Sequence, residues 1–202
     1  MALAVALLGG CAPRVAPLSG VPTPARLPST ELTGHQRLVF RWEYSDGTVV
    51  GRGEGVARIA APDSVRLDFF LDGGAGGGTA FLVGNSITAP GGALVQRLLP
   101  TPPLMWAALG RLAVPPATDT LARQDGDLLR VELGGGPIYR AVFDSAGLNR
   151  LDRIEDGRLR EWVARPTSDV VEYRQEGAGR QLRLTIVQRE RVDAFGADVW
   201  GR

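Results

Sequence analysis

Arg37-Leu38-Val39-Phe40-Arg41-Trp42-Glu43-Tyr44 decides the fold class. Leu38, Phe40, Trp42 and Tyr44 share one face and Arg37, Arg41 and Glu43 the other, the period-two pattern of a half-buried strand. Asp46-Gly47 then turns the chain into Val49 to Ala60, where Gly51, Gly53 and Gly55 alternate with Arg52, Glu54 and Val56. Glycines along one face of a strand leave room on that face. Pro62-Asp63-Ser64 makes the next turn, and Val65, Leu67, Phe69 and Leu71 alternate with Arg66 and Asp68.

The same rhythm continues outward from this hairpin pair. Asp72 to Thr79 is expected to be a glycine loop, followed by strands at Ala80 to Gly84 and Ile87 to Ala89, while Leu94 to Leu99 fits either a strand or the approach to a helix. Later strands are expected at Leu128 to Leu133, Ile138 to Phe143, Leu148 to Ile154, Arg158 to Ala164, Val170 to Gln175 and Gln181 to Arg189. Asp156-Gly157 and the other short Gly-containing breaks between them are hairpin signals. About nine to eleven strands at this spacing predict a mainly β fold, an antiparallel meander sheet, curved or barrel-like. Only Pro103 to Leu112 breaks the alternation. It is rich in helix formers, lies between prolines 102, 103 and 115, 116, and is apolar nearly all round, so it predicts a short enclosed helix in the concavity of the sheet.

Composition removes several chemistries. The 202 residues contain no lysine, so all 23 basic residues are arginine, which excludes Schiff-base and P-loop lysines. A net charge of +1 offers no broad positive field, and no nucleic-acid partner is expected. The single His35 and single Cys11 cannot build a Cys/His metal site or an internal disulfide, so neither metal nor cofactor is expected. Gly73 to Gly78 lacks a following helix and the dinucleotide spacing, and there is no Gly-x-Ser-x-Gly elbow. Acid–base work would fall to Asp63 and Asp68, or to Glu161 with Asp169 and Glu172, but acids alternating with arginines on strands commonly form a solvated face.

The N-terminus has a different character. Ala2 to Leu8 is a short apolar run, too short to span a bilayer, and ends in Leu8-Gly9-Gly10-Cys11, which resembles a bacterial lipobox. The first basic residue is Arg14, beyond the cleavage point, so a start codon further upstream is expected. Ala12 to Thr30 holds Pro13, Pro17, Pro22, Pro24 and Pro28 with almost no charge and predicts an extended, mobile linker. The chain is therefore divided into a signal at 1–11, a tether at 12–35 and one β-rich domain at 36–202.

Gly53 to Arg58 (Gly-x-Gly-x-x-Arg), Pro62-Asp63-Ser64-Val65-Arg66-Leu67-Asp68, Leu98-Leu99-Pro100 and Leu104-Met105-Trp106 follow one another in the order seen in the LolA/LolB-like lipoproteins, which this sequence resembles over about residues 36 to 190. The resemblance implies a half-barrel with a helical lid around 103–112 and an apolar cavity for lipid or acyl chains. Candidate lining residues are Phe40, Trp42, Leu67, Phe69, Phe81, Trp106 and Leu109, with Cys11 lipidated. It also implies sorting, because an aspartate after the cysteine signals inner-membrane retention; Ala12 stands there, so an outer-membrane lipoprotein facing the periplasm is expected. The loop that carries a protruding apolar side chain in LolB offers only glycines, Asp72, Ala75 and Thr79 here. The expected function is non-enzymatic binding of a lipid or acylated ligand, with a place in lipoprotein or lipid trafficking. Two alternatives stand beside it: an assembly lipoprotein that docks an envelope protein through Val39, Ile59 and Phe70, and a carboxylate-dependent hydrolase.

Overall fold

The computed structural model describes residues 14–74, 76–90, 92–115 and 119–200. After a two-residue strand β1 (Val21–Pro22), the first meander runs β2 (His35–Ser45), β3 (Val50–Ala60), β4 (Ser64–Leu71), β5 (Gly77–Val83) and β6 (Ser86–Thr88). Two short helices follow, α1 (Ala93–Leu98) and α2 (Pro102–Ala108). The second meander is β7 (Thr120–Asp125), β8 (Leu128–Leu133), β9 (Ile138–Asp144), β10 (Gly147–Glu155), β11 (Arg158–Thr167), β12 (Val170–Gln175) and β13 (Arg180–Val192), and a 3₁₀ turn at Ala197–Trp200 closes the described chain.

All thirteen strands form one antiparallel sheet in the order β1-β7-β8-β9-β10-β11-β12-β13-β2-β3-β4-β5-β6. The two meanders are joined by β13 and β2, paired from Gln181↔Ser45 to Val192↔His35 with a bulge between Ile186 and Gln188. The sheet is not closed into a barrel. It is the expected curved half-barrel, with the helices in its concavity.

The glycines of β3 explain part of the curvature. In register, Phe40 faces Gly55, Trp42 faces Gly53 and Tyr44 faces Gly51, so three aromatic side chains lie across a strand with no side chains of its own at those positions. A Cβ on Gly55 would enter the Phe40 ring, and one on Gly53 would run into the Phe70 carbonyl of β4. Phe69 then packs edge-on against both Phe40 (5.6 Å) and Trp42 (6.1 Å), a geometry favoured by the ring quadrupoles. The Trp42 indole N–H donates to the Glu54 carbonyl at 3.0 Å, so the buried ring keeps its polar atom satisfied.

Three expectations change and one open alternative closes. Leu94 to Leu98 lie in α1, the helical of the two alternatives, and Gly77 to Thr79 belong to β5, not to the glycine loop. β7 was not legible because only Ala122 of its six residues is buried. Ile59, weighed as a docking residue, is not on the outer face: the inward column of β3 is Gly53, Gly55, Ala57 and Ile59, and Ile59 is core.

The largest difference concerns the proline-rich segment. It is extended, but it is laid along the domain from residue 14 on instead of hanging free. Arg14 bridges Arg158, Val15 N–H donates to the Gly157 carbonyl at 3.0 Å, and Thr23 N–H donates to the Ala122 carbonyl at 3.1 Å. Proline takes away donors from such a segment but leaves every carbonyl, and two arginines use them: Arg140 donates to Ala16 O and Arg123 to Gly20 O, each at 2.9 Å. The segment covers the convex face of the second meander, where Ile138 and the buried Ile154 line a hollow with Val15, Pro17 and Leu18. It then reaches the helical segment, where the Thr30 hydroxyl accepts the Leu112 N–H at 2.9 Å. Cys11 and the apolar run before it lie outside the described residues.

Candidate functional site

The concave face is built by the inward columns of the strands. Phe40, Trp42, Leu67 and Phe69 are all buried there, joined by Val163, Val171 and Leu182 from the second meander. Alternation fixes this placement, because one residue of slip would turn the whole set outward. Phe81 is the exception among the sequence candidates. On β5 the inward residues are Ala80 and Leu82, so Phe81 faces the convex side, where Arg66 lies over its ring at 5.7 Å and Trp200 lines the same open groove. Leu109 sits half-buried at the end of α2 and packs on the core margin.

α2 fills the concavity. Its residues Pro103 to Ala108 are all buried, as a helix apolar on every side requires. Leu104 and Met105 each contribute roughly 1.5–3 kcal/mol through burial. The space left between α2 and the sheet is only about 20 Å³, lined by apolar side chains including Leu67, Phe69, Leu98, Met105, Val163 and Leu182. A ligand-sized pocket needs roughly 300 Å³ or more. The helix itself fills the concavity.

Polar contacts hold α2 mainly at its ends. Glu161 points inward from β11 and is buried; its carboxylate accepts from the Thr101 hydroxyl at 2.9 Å, from Arg153 at 3.1 Å and from the Tyr173 hydroxyl at 3.0 Å. Thr101 is the N-cap residue of α2, yet its hydroxyl serves the sheet instead of its own helix. Burial and the adjoining Glu161 charge both push the Tyr173 hydroxyl pKa up, so it remains a donor. Burial opposes the Arg153 charge, but Glu161 and Glu155 outweigh it and raise its pKa. At the other end the Arg165 guanidinium, two inward positions further along β11, lies against Gly110. Burial, and then the nearby Arg189 charge, lower the Arg165 pKa. In the middle, the Trp106 indole donates to the Gly84 carbonyl at 2.7 Å and Arg111 lies over its ring at 4.5 Å.

The carboxylates weighed as catalytic pairs are not brought together. Asp68 lies on the convex face and is saturated by Arg58, Arg66 and the Thr79 hydroxyl. Glu161 faces inward, whereas Glu172 and Asp169 pair on the outside with Arg183 and Arg189. Among the described residues no group of His, Cys, Asp and Glu could hold a metal ion. Of the docking candidates, Phe70 is 51% exposed, Val39 is half-buried and Ile59 is core.

The grouping of the buried Glu161 and Tyr173 with the half-buried Arg153 was not legible from sequence. Glu161 was legible only as one acid among others, since its inward direction depends on the register of β11 against β10 and β12.

No protein-family model and no curated protein sequence matches this chain. Solved structures do. A LolA superfamily protein from Nitrosomonas europaea is 10% identical with a TM-score of 0.55, covering 80% of this chain and 88% of that one. A domain assigned to outer membrane lipoprotein sorting from Vibrio parahaemolyticus is 6% identical with a TM-score of 0.52, covering 82% and 88%. A DUF1329 family protein from Desulfovibrio piger is 8% identical with a TM-score of 0.51, covering 83% and 89%. The chain has a LolA/LolB-like fold.

Proposed function

We propose that this chain is a lipid-anchored protein of the bacterial envelope that takes up an acyl-type ligand between α2 and the sheet. The observation that carries the reading is the apolar concavity filled by a short helix that is itself apolar on every side. Moving α2 aside uncovers Leu67, Phe69, Val163, Val171 and Leu182, which line the gap beneath it, a surface with few polar groups except Glu161 and its partners. Burying hydrocarbon there contributes about 0.8 kcal/mol per CH₂, so an acyl chain can replace the contacts that α2 gives up. The fold is shared with proteins named for lipoprotein sorting, which supports a binding role, and Cys11 with its lipobox-like approach supports anchoring through acyl chains on that sulfur. More than one chain is needed for stable anchoring. With Ala12 after the cysteine, the outer membrane is the destination and the domain faces the periplasm.

Two measurements test the two halves. Native mass spectrometry after mild extraction, with titration of a fluorophore-bearing acyl chain, is expected to show lipid uptake that saturates at one site. A chain that carries no lipid and leaves the probe's fluorescence unchanged overturns the binding half. Radiolabelled palmitate is expected to enter the wild type and not Cys11→Ser; label in neither sinks the anchoring half.

A further inference from the structure

We infer that residues 14–23 act as a strap that orients the domain on the membrane, holding the Asp156–Gly157 end of the sheet against the bilayer. This rests on the anchoring half of the proposed function, and it reverses what the proline-rich composition implied. A free chain over residues 12–30 would reach roughly 60 Å from the membrane at about 3.3 Å per residue. Because Arg14 and Val15 are already fixed to Arg158 and Gly157, only the three steps from 14 back to 11 remain, a reach of about 10 Å. An acylated Cys11 would therefore keep that end of the domain near the headgroups.

The strap is built along its length. Arg140 and Arg123 hold the carbonyls of Ala16 and Gly20, and the Ser19 hydroxyl donates to Asp125 at 2.9 Å. Val21 and Pro22 pair with Gln124 and Arg123. Gly20 lies against β7, with φ of +106° and no room for a Cβ beside the Gln124 carbonyl. The strap thus climbs the convex face from the β10–β11 turn toward the β7–β8 end.

The turn that faces the bilayer has neighbours. Ile138, paired with Ile154, starts β9 at this end, so the 134–137 loop lies there; the Glu176 N–H donates to the Arg160 carbonyl, which places the β12–β13 turn there too. The Asp144–Gly147 turn of β9 and β10 lies at the opposite end. Arginines at the proximal end are offset by Glu155, Asp156 and Glu176. Such mixed charge gives little attraction to anionic lipid by itself, so the orientation comes from the strap and not from a basic patch.

The test uses the full, acylated chain on vesicles of phosphatidylethanolamine and phosphatidylglycerol with a quencher in the headgroups. The chain has one cysteine, and once it is acylated an introduced cysteine is the only reactive thiol. Fluorophores are placed through Ala178→Cys, in the exposed β12–β13 turn, and through Ala146→Cys, exposed at the far end. Quenching is expected to be several-fold stronger at 178 than at 146. Adding Gly20→Ala, which frees the strap, is expected to bring the ratio toward one while vesicle binding is unchanged. Equal quenching at both sites in acylated, vesicle-bound protein overturns the strap while leaving the anchoring intact. An intact mass without acyl groups, together with no vesicle binding, overturns the anchoring itself and the orientation with it.

Discussion

Each face of this sheet is covered by a segment that is not part of either meander, and the two covers are held by opposite means. On the concave side α2 presents apolar side chains to an apolar wall and makes few hydrogen bonds outside its ends. On the convex side the strap buries little and is held by carbonyl oxygens, two guanidinium groups and a backbone bridge. A cover held by side-chain burial can be exchanged for another greasy object of similar size. One held by its own backbone has no such substitute and can only detach. On the function proposed above, exchange falls to the concave face and positioning to the convex one.

The largest break in this comparison comes from Trp106→Ala. Truncating a fully buried indole, with the loss of its bond to Gly84, is expected to cost about 3–5 kcal/mol in urea unfolding. The same variant enlarges the space beneath α2 and should take up the acyl probe more tightly than wild type. Lower stability with no gain in uptake would mean that the concavity is simply a core.

Next comes the seat of α2. Glu161→Gln removes the charge that faces Arg153 and is expected to cost about 2 kcal/mol, since a half-buried guanidinium loses one carboxylate and keeps only Glu155. Thr101→Ala should cost about 1 kcal/mol. Hydrogen exchange separates a local from a global effect: Thr101→Ala should speed exchange in 104–109 while leaving β2 and β3 protected. Uniform loss of protection would show that α2 is inseparable from the core.

The two covers also differed in how far the sequence revealed them. The Pro103 to Leu112 run announces an enclosed helix because its apolar character lies in the side chains, and it sits where that reading puts it. The strap is held by main-chain carbonyls, which every residue owns, so Ala12 to Thr30 looks like a solvated linker until Arg123 and Arg140 are seen reaching for it. The cavity candidates divide in the same way. Phe40, Trp42, Leu67 and Phe69 were legible from alternation, whereas Phe81 turned outward because β5 sets it opposite the outward Arg66 and puts Ala80 opposite the inward Leu67. Glu161, Arg153, Tyr173 and Thr101 meet only through register and the path of α2, and no spacing in the sequence records that.

For the strap a smaller effect is expected. Gly20→Ala forces a side chain into a left-handed backbone position against the Gln124 carbonyl, but the sheet can persist while the strap lifts. Global stability should fall by about 0.5–1 kcal/mol. Amide exchange should accelerate at Val15 and Thr23, whose N–H groups bond the sheet, and remain unchanged in α2. A loss of several kcal/mol would instead make the strap part of the folding unit and erase the contrast between the two covers.

The smallest effect sharpens what lies on the strapped face. Asp152 is buried on the convex side beside Arg150, Arg140 and Arg130, and burial raises its pKa in spite of those three charges. A carboxyl whose pKa is higher in the folded than in the unfolded chain binds protons preferentially in the fold. Its contribution is therefore fully present below the unfolded value and is lost as pH rises through the folded one. Asp152→Asn keeps an acceptor for Arg150 without the charge that burial disfavours. It is expected to change stability by less than about 1 kcal/mol at pH 7 and to flatten the fall in stability on going from pH 4 upward. Melting curves between pH 3 and 8 for wild type and Asp152→Asn decide it. An unchanged slope would mean that the arginines fully offset the cost of burying that carboxylate, and a loss of several kcal/mol at pH 7 would make the Asp152–Arg150 pair a main support of the convex face.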